Sequence, residues 1–130
     1  MELMIVVVIM GILVAVAIPV YGAVTSNAEK KTCHANCRTI QEMAVNYRMI
    51  DTDANSYSAI LKGATSAMIA SQTDAEANLS TSFLANFDGG KFPACPTSGG
   101  QYQITVVDGV PGEFRVVCSK HGDRDGDFPF

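Results

Sequence analysis

The chain begins with an apolar segment that limits its fold more than any other feature does. Residues 1–24 contain no Lys or Arg and a single acid, Glu2, and only Gly11 and Pro19 interrupt the apolar run over residues 1–21. About 20 apolar residues are enough for a helix to cross a bilayer. A carboxylate at the head of such a run is costly in lipid, so Glu2 is a candidate functional residue.

Three interpretations of this segment are open. A cleaved signal peptide fits poorly, because such peptides have a basic start and a short apolar region, whereas nothing basic precedes Lys30 here. A simple transmembrane anchor fits the length, although Lys30 and Lys31 alone would leave the N-terminus outside the cell by the positive-inside tendency. The third interpretation is a segment that stays in the membrane temporarily and then packs against copies of itself.

The polar residues after Pro19 keep a helical period. Apolar positions recur at spacings of four and three, which places them on one helical stripe: Cys33, Cys37, Ile40, Ala44 and Tyr47. We therefore predict one helix from Glu2 to about Met49, roughly 70 Å long at about 1.5 Å per residue. A globule of 130 residues does not need such a rod, so its first half must be buried in lipid or in partner subunits.

The middle of the chain predicts short helices. Residues 57–70 are expected to form a second helix, weakened by Gly63. Residues 73–76 have the pattern of a capping box and begin a further short helix. The apolar face of that helix consists of Leu79, Phe83, Leu84 and Phe87.

The C-terminal part predicts a β-hairpin. Residues 101–107 and 113–118 alternate in polarity, and a turn rich in Gly and Pro joins them. The predicted fold class is therefore α+β: a long N-terminal helix with an apolar first half, followed by a small globular head with short helices and an antiparallel hairpin. We divide the chain into an apolar segment (1–24), an amphipathic helix that packs on the head (25–50) and the head itself (51–130).

The composition excludes several functions. The net charge is −4, with 13 acids against 9 bases, and no block of five like charges occurs, so direct nucleic-acid binding is not expected. The sequence has no P-loop, no Gly-x-Ser-x-Gly and no histidine partnered with a Ser or Cys nucleophile. We therefore predict a protein that is not an enzyme and has no cofactor. Four cysteines without tryptophan fit an exported, disulfide-permissive setting.

The order of these parts resembles the type IV pilin and pseudopilin family. The resemblance is carried by Glu2-Leu-Met-Ile-Val-Val-Val-Ile-Met-Gly-Ile-Leu-Val-Ala-Val-Ala-Ile-Pro19, a highly specific motif, and it is clear over about the first 50 residues. A weaker likeness joins Cys95-Pro-Thr-Ser-Gly-Gly100 and Cys118-Ser-Lys-His-Gly122 to the heads of major pilins from some Gram-positive and related bacteria.

This resemblance implies an extracellular filament in which the long helices bundle into a core and the heads form a sheath. The chain would then be a major type IV pilus subunit, used in adhesion, motility or surface attachment. Its partners would be copies of itself, the pilus assembly machinery, a prepilin peptidase and the cytoplasmic membrane that holds it before assembly. The alternatives are a type II secretion or competence pseudopilin and, from another class, a single-pass anchored binding domain.

The family also implies roles for three residues of the apolar segment. Glu2 would pair with the N-terminal amine of a neighbouring subunit, and the helix between Gly11 and Pro19 would kink or unwind in the filament. Mature family members usually begin with a methylated Phe and carry three further residues before the equivalent of Glu2. Here Glu2 follows Met1 directly, which predicts either residues before Met1 or atypical processing.

The four cysteines are expected to form structural disulfides. Cys33 and Cys37 lie one turn apart, with Cβ atoms roughly 5–6 Å apart, whereas a disulfide needs about 3.5–4.5 Å. A bridge between them therefore requires local distortion. Bridges from the helix to the hairpin and a bridge between Cys95 and Cys118 both remain open.

The sequence also offers candidate ligands for two metal sites. Cys33, Cys37, Cys118 and His121 offer four zinc ligands, but the spacing is not that of a standard knuckle and an oxidising compartment disfavours free thiolates. Asp123, Asp125 and Asp127 alternate as calcium ligands do. The EF-hand glycine and distal Glu are missing, so a solvated tail is the preferred interpretation of these three residues.

Overall fold

The computed structural model describes residues 1–50, 57–108 and 112–122. It has the predicted α+β layout, in which a single long helix, α1 (Glu2–Ile50), precedes a small head. With 49 residues, α1 is about 73 Å long at about 1.5 Å per residue. The prediction of one continuous helix is confirmed.

The second half of α1 forms one wall of the head. Its predicted stripe is buried at four positions, Cys33, Cys37, Ile40 and Ala44, and Tyr47 packs against the same core as a partly buried residue. The stripe therefore faces the head, and most of the other positions in this half of the helix are polar.

A three-stranded antiparallel sheet forms the opposite wall. Its strands are β1 (Ser66–Ile69), β2 (Tyr102–Val107) and β3 (Glu113–Cys118), in that spatial order. The hairpin of β2 and β3 was predicted, and β1 was not. In register, Ile104 stands opposite both Ala67 and Val116. All three side chains are buried, so one face of the sheet packs on the core and α1 crosses it mainly at β3.

The predicted helix over 57–70 is wrong. One turn of 3₁₀ helix (Tyr57–Ala59) is followed by a turn in which Lys62 and Gly63 have positive φ, and then by β1. A right-handed helix cannot continue through two such residues. The chain instead reaches the free edge of β2, where Ile69 is buried on the core face of the sheet.

The predicted capping box is also misplaced. Helix α2 (Gln72–Asn78) is capped by Ser71, whose hydroxyl accepts the Asp74 N–H at 3.2 Å, and the Asp74 carboxylate accepts the Ser71 N–H at 3.1 Å. Asp74 thus takes the role expected of Glu76. A second, separate helix, α3 (Thr81–Leu84), begins at its own cap, Ser80.

Aromatic rings close the core between α1, α3 and the sheet. All four residues of the predicted apolar face are buried: Leu79, Phe83, Leu84 and Phe87. Phe83 is the centre of the group, with ring centroids 5.8 Å from Tyr47, 5.3 Å from Phe87 and 6.3 Å from Phe114. The head is thereby attached to α1 over the last turns of that helix.

Candidate functional site

The first half of α1 has no cover within the chain. Every large apolar side chain from Leu3 to Val24 is at least half exposed, with Ile9 the least exposed at 52%. These side chains lie on all sides of the helix, so no face of this half is polar. Within the described residues, α1 is the one helix long and apolar enough to cross a membrane.

The three residues predicted to act in assembly lie in this exposed half. Glu2 begins the helix, and a Cβ added at Gly11 would meet no atom within 4 Å. Pro19 lies inside the helix, where it has no N–H to offer the carbonyl of Ala15. In the structure α1 is helical across both Gly11 and Pro19, so unwinding there remains a prediction for an assembled state.

Exposed apolar side chains continue on the outer face of the second half of α1. Val45 is 40% exposed, Met49 is 77% exposed and Ile50 is 78% exposed. They point away from the buried stripe of the same helix. The helix therefore presents apolar surface well beyond the segment that a bilayer would cover.

A compact group of thiols and an imidazole lies where α1 first contacts the head. It consists of Cys33, Cys95, Cys118 and His121, whose ligand atoms all lie within 4.8 Å of one another. Cys33 comes from the buried stripe of α1, Cys95 from the loop before β2, and Cys118 ends β3. We call these four residues the Cys₃His cluster.

The local fold positions each member of the cluster. Cys118 stands opposite Tyr102 in the hairpin, and its backbone pairs again with Gly122, so the turn between them brings His121 back over the sulfur. Gly122 has a φ of 71°, which suits glycine. The Cys95 sulfur lies 3.6 Å from the Cys118 sulfur, and His121 Nδ1 lies 3.6 Å and 3.7 Å from these two sulfurs.

Glycine is needed at the loop that carries Cys95. The Gly100 N–H donates to the Thr97 carbonyl at 3.0 Å, which closes a turn around the Cys95 side chain. A Cβ at Gly100 would collide with Cys95, at 2.6 Å from its Cβ and closer still to its sulfur. The loop can wrap around this thiol only with hydrogen at that position.

The surroundings act unequally on the three thiols. Burial raises the pKa of Cys33 and of Cys95 above the ordinary value. Burial acts in the same direction on Cys118, but hydrogen bonds to its sulfur outweigh it and leave its pKa lowered. These bonds come from the backbone of Lys120, the Cys33 thiol, the backbone of His121 and the Cys95 thiol. Cys118 is therefore the most readily formed thiolate of the cluster.

A chain of polar contacts fixes the imidazole from its other side. His121 Nε2 lies 3.2 Å from Thr97 Oγ1, and that hydroxyl donates to Glu29 Oε2 at 2.8 Å. His34 Nε2 lies 3.2 Å from the His121 carbonyl oxygen. Both Glu29 and His34 belong to α1, so the helix supports the His121 segment directly through His34 and, by way of Thr97, indirectly through Glu29.

The cluster differs by one residue from the zinc set predicted from the sequence, and it leaves the disulfide predictions untested. All four cysteines lie in the described part of the chain, and each is present there as a thiol rather than as half of a disulfide. The predicted zinc set shares Cys33, Cys118 and His121 with the cluster, but the structure brings in Cys95 where the sequence suggested Cys37. The Cys-Pro and Gly-Gly pairs around Cys95 were the available signal for a tight turn. The calcium candidates Asp123, Asp125 and Asp127 lie outside the described residues.

The disulfide predictions therefore stay open. Cys95 and Cys118 have neighbouring sulfurs, and Cys33 is close enough to both to serve a bridge from the helix to the hairpin.

A scan of protein-family models, a search of curated proteins and a search of solved structures each find no match to this chain.

Proposed function

We propose that this chain is the structural subunit of a type IV pilus-like filament, in which the apolar half of α1 packs against the same half of neighbouring copies. One observation carries the proposal. A helix that is apolar on every side and exposed along residues 3–24 runs without a break into the wall of a folded head. Helices that are apolar all round are normally buried.

The exposed apolar surface makes a free subunit in water untenable. Burying one large apolar side chain contributes about 1.5–3 kcal/mol, and the exposed half carries sixteen of them between Leu3 and Val24. Covering them is therefore worth on the order of tens of kcal/mol. Lipid and a bundle of apolar helices both supply that cover, so transfer from one to the other costs little.

The outer face of the second half of α1 favours neighbouring subunits over a plain membrane anchor. Val45 lies 21 residues beyond Val24, or about 32 Å along the helix. A bilayer core is about 30 Å thick, so a membrane that covers residues 3–24 leaves Val45, Met49 and Ile50 in water. Neighbouring rods in a filament would cover both the apolar half and these three side chains.

Glu2 supports the same arrangement through its need for a cation. A carboxylate in an apolar core is strongly unfavourable unless it is paired. The first basic side chain along the helix is Lys30, about 42 Å away. In the pilin family that the apolar segment resembles, the partner of the equivalent glutamate is the N-terminal amine of a neighbouring subunit, and we propose the same pairing for Glu2, which would set the axial register between subunits.

Electron microscopy of material sheared from the cell surface tests the proposal. We expect filaments that contain this chain, and recovery of the chain solely as a membrane-embedded monomer would contradict it. Glu2→Leu should still enter the membrane but should give few filaments. Glu113→Leu, which removes an exposed acid from the head, is the matched control and should assemble normally.

The alternatives make different predictions in the same experiment. A pseudopilin of a secretion or competence system would form short filaments that remain in the cell envelope, so little would be sheared off until the chain is overproduced. A single-pass anchored binding domain would form none and would be indifferent to Glu2→Leu.

A further inference from the structure

We propose that Cys33, Cys95, Cys118 and His121 form a structural zinc site that joins α1 to the head. The site would take Zn²⁺ with three thiolates and one imidazole as its complete set of ligands. This inference concerns the folded head, and it holds whether or not α1 enters a filament.

The distances within the cluster match the edges of a zinc tetrahedron. Zn–S bonds of about 2.3 Å and Zn–N bonds of about 2.0–2.1 Å give edges of about 3.8 Å between sulfurs and about 3.6 Å between sulfur and nitrogen. The structure has 3.6 Å between the sulfurs of Cys95 and Cys118, and 3.6 Å and 3.7 Å from them to His121 Nδ1. The Cys33 sulfur lies within 4.8 Å of all three atoms.

The chemistry of the four ligands indicates the metal and its role. Thiolate and imidazole ligands suit zinc, whereas calcium and magnesium prefer oxygen. Four protein ligands leave no position for water, which is the arrangement of structural rather than catalytic zinc sites. Cys33 and Cys118 are buried, and Cys95 and His121 are partly exposed, so an ion could enter from the side of the loop.

The groups around the cluster suit a metal-bound imidazole. If Nδ1 binds the ion, Nε2 carries the proton and can donate to Thr97 Oγ1, whose hydroxyl donates in turn to Glu29. Partners of this kind hold the correct tautomer and the ring orientation of zinc-bound histidines. The two hydrogen bonds of this series then run in the same direction, from the imidazole to the hydroxyl and from the hydroxyl to the carboxylate.

The backbone supports thiolates in the same place. The backbone of Thr97 acts on the pKa of Cys95, and the backbone of Lys120 and His121 on the pKa of Cys118, in the direction that favours the thiolate. Three thiolates and Zn²⁺ leave a net charge of one negative, which such N–H groups stabilise. Neither these donors nor His121 would be required by a simple disulfide between Cys95 and Cys118.

The position of the cluster explains what the ion would do. Cys33 is the first buried residue of α1, so it marks the point where the helix leaves the head and runs on as the exposed apolar half. An ion held there would fix the head to the helix at the end opposite to the aromatic core around Phe83. The head would thus be attached to the rod at both ends of their contact.

Metal titration of the full-length chain in detergent micelles tests the site. The chain is reduced, stripped with a chelator and titrated anaerobically with Zn²⁺, or with Co²⁺ as a spectroscopic probe. We expect one ion per chain, the visible bands of tetrahedral cobalt with thiolate charge-transfer absorption, and a higher unfolding temperature of the head. Failure of the folded, fully reduced chain to bind either ion would overturn the proposal.

Two cysteine variants identify the ligands. Cys95→Ser should abolish tetrahedral cobalt binding, whereas Cys37→Ser should retain the stoichiometry and the spectrum. Cys37 is the matched control because it is a buried cysteine of α1, one turn beyond the proposed ligand Cys33, and is not a member of the cluster. The reverse result, with binding kept by Cys95→Ser and lost by Cys37→Ser, would contradict the proposed ligand set.

If Cys95→Ser fails to fold, substitutions of His121 and of its hydrogen-bond partner Thr97 still test the site. His121→Cys should still bind cobalt, with stronger charge-transfer absorption from a fourth thiolate, and His121→Ala should not. Thr97→Val should weaken zinc binding about 10–100-fold, as is typical for a group behind a zinc ligand. Equal affinity in His121→Ala and the parent chain would refute the site.

The state of the chain in its native cells decides between metal and disulfide. Metal analysis and mass spectrometry of the chain, isolated without reductant, should find zinc and four unmodified thiols. A stoichiometric disulfide between Cys95 and Cys118 in that material would overturn the proposal, because it removes two of the four ligands.

Discussion

The two halves of α1 share one continuous backbone and have opposite surroundings. Residues 3–24 are exposed on every side, whereas the second half buries Cys33, Cys37, Ile40 and Ala44 against the sheet. The head is large enough to cover one stripe of about four helical turns. The rest of the helix has no cover within the described part of the chain.

The difference shows that helix formation and helix burial have separate causes. Local propensity and the helical hydrogen-bond ladder extend α1 through both halves, and the helix continues across Pro19 although that residue donates no backbone hydrogen bond. In the second half most residues outside the stripe are polar, so burial there is limited to one stripe, whereas the first half has no polar side. The first half is therefore an apolar surface that the fold leaves uncovered, and the second half is part of a folded core.

The largest expected effect comes from truncating the buried stripe. Ile40 is fully buried, so Ile40→Ala should destabilise the head by about 2–5 kcal/mol, through lost burial and a residual cavity. Leu13→Ala removes a similar side chain from the exposed half and should leave head unfolding unchanged. Denaturant unfolding in detergent micelles, followed by tyrosine fluorescence, measures both. Equal destabilisation by the two variants would show that the halves are not independent.

An introduced charge should have a large effect in the first half of α1 and little effect in the second half, which is the reverse of the order expected for truncation to alanine. Leu13→Lys places an ammonium in the middle of the apolar half, at a cost of about 2.5–3.5 kcal/mol in a bilayer. Membrane insertion and filament yield should both fall steeply, with the head still folded. Thr39→Lys, at an exposed position of the second half, should alter neither, as judged by fractionation and electron microscopy. Normal insertion of Leu13→Lys would argue that the apolar half is not in lipid or in a filament core.

A smaller effect is expected at a polar contact between α1 and the head. The Asn36 amide donates to the Tyr102 hydroxyl at 3.2 Å and to the Ala94 carbonyl at 3.1 Å. Asn36→Ala leaves both acceptors without this donor, and Tyr102 is almost fully buried. We expect a loss of about 1–3 kcal/mol in head stability. Asn27→Ala, on the exposed side of the boundary, should lose nothing in the same unfolding experiment.

The smallest effect should come from the surface ion pair of the second half. Arg38 Nε and Glu42 Oε1 are 2.7 Å apart, but both side chains are more than half exposed. Breaking the pair with Glu42→Gln should cost about 0.3–0.5 kcal/mol, and less at high salt. A loss comparable to that of Ile40→Ala would mean that surface charge, rather than the buried stripe, holds α1 to the head.

The sequence predicts the strongly periodic parts of this fold and misses the short ones. The stripe from Cys33 to Tyr47 and the alternation in the two hairpin strands extend over enough residues to define a period. Strand β1 has four residues, and its pairing partner, β2, begins more than 30 residues later. Its conformation depends on that free edge rather than on its own residues, so a local pattern could not reveal it.

The cluster shows the same limit at the level of single residues. Cys33, Cys118 and His121 were recognisable as candidate ligands from their residue types, although their spacing matches no standard zinc motif. Cys95 joins them because the turn closed by Gly100 folds the loop back over the end of β3. Cys37 lies one helical turn away from Cys33, and adjacency in sequence made it the more obvious choice. Only the three-dimensional arrangement shows that Cys95, and not Cys37, is the fourth member of the cluster.

A reconstruction of surface filaments that resolves the first helical turn tests the central claim most directly. We predict a core made of the apolar halves of α1, with heads outside and each Glu2 within hydrogen-bond distance of a neighbour's N-terminal amine. Filaments whose core excludes residues 3–24, or a chain found solely as a lipid-embedded monomer, would contradict the account.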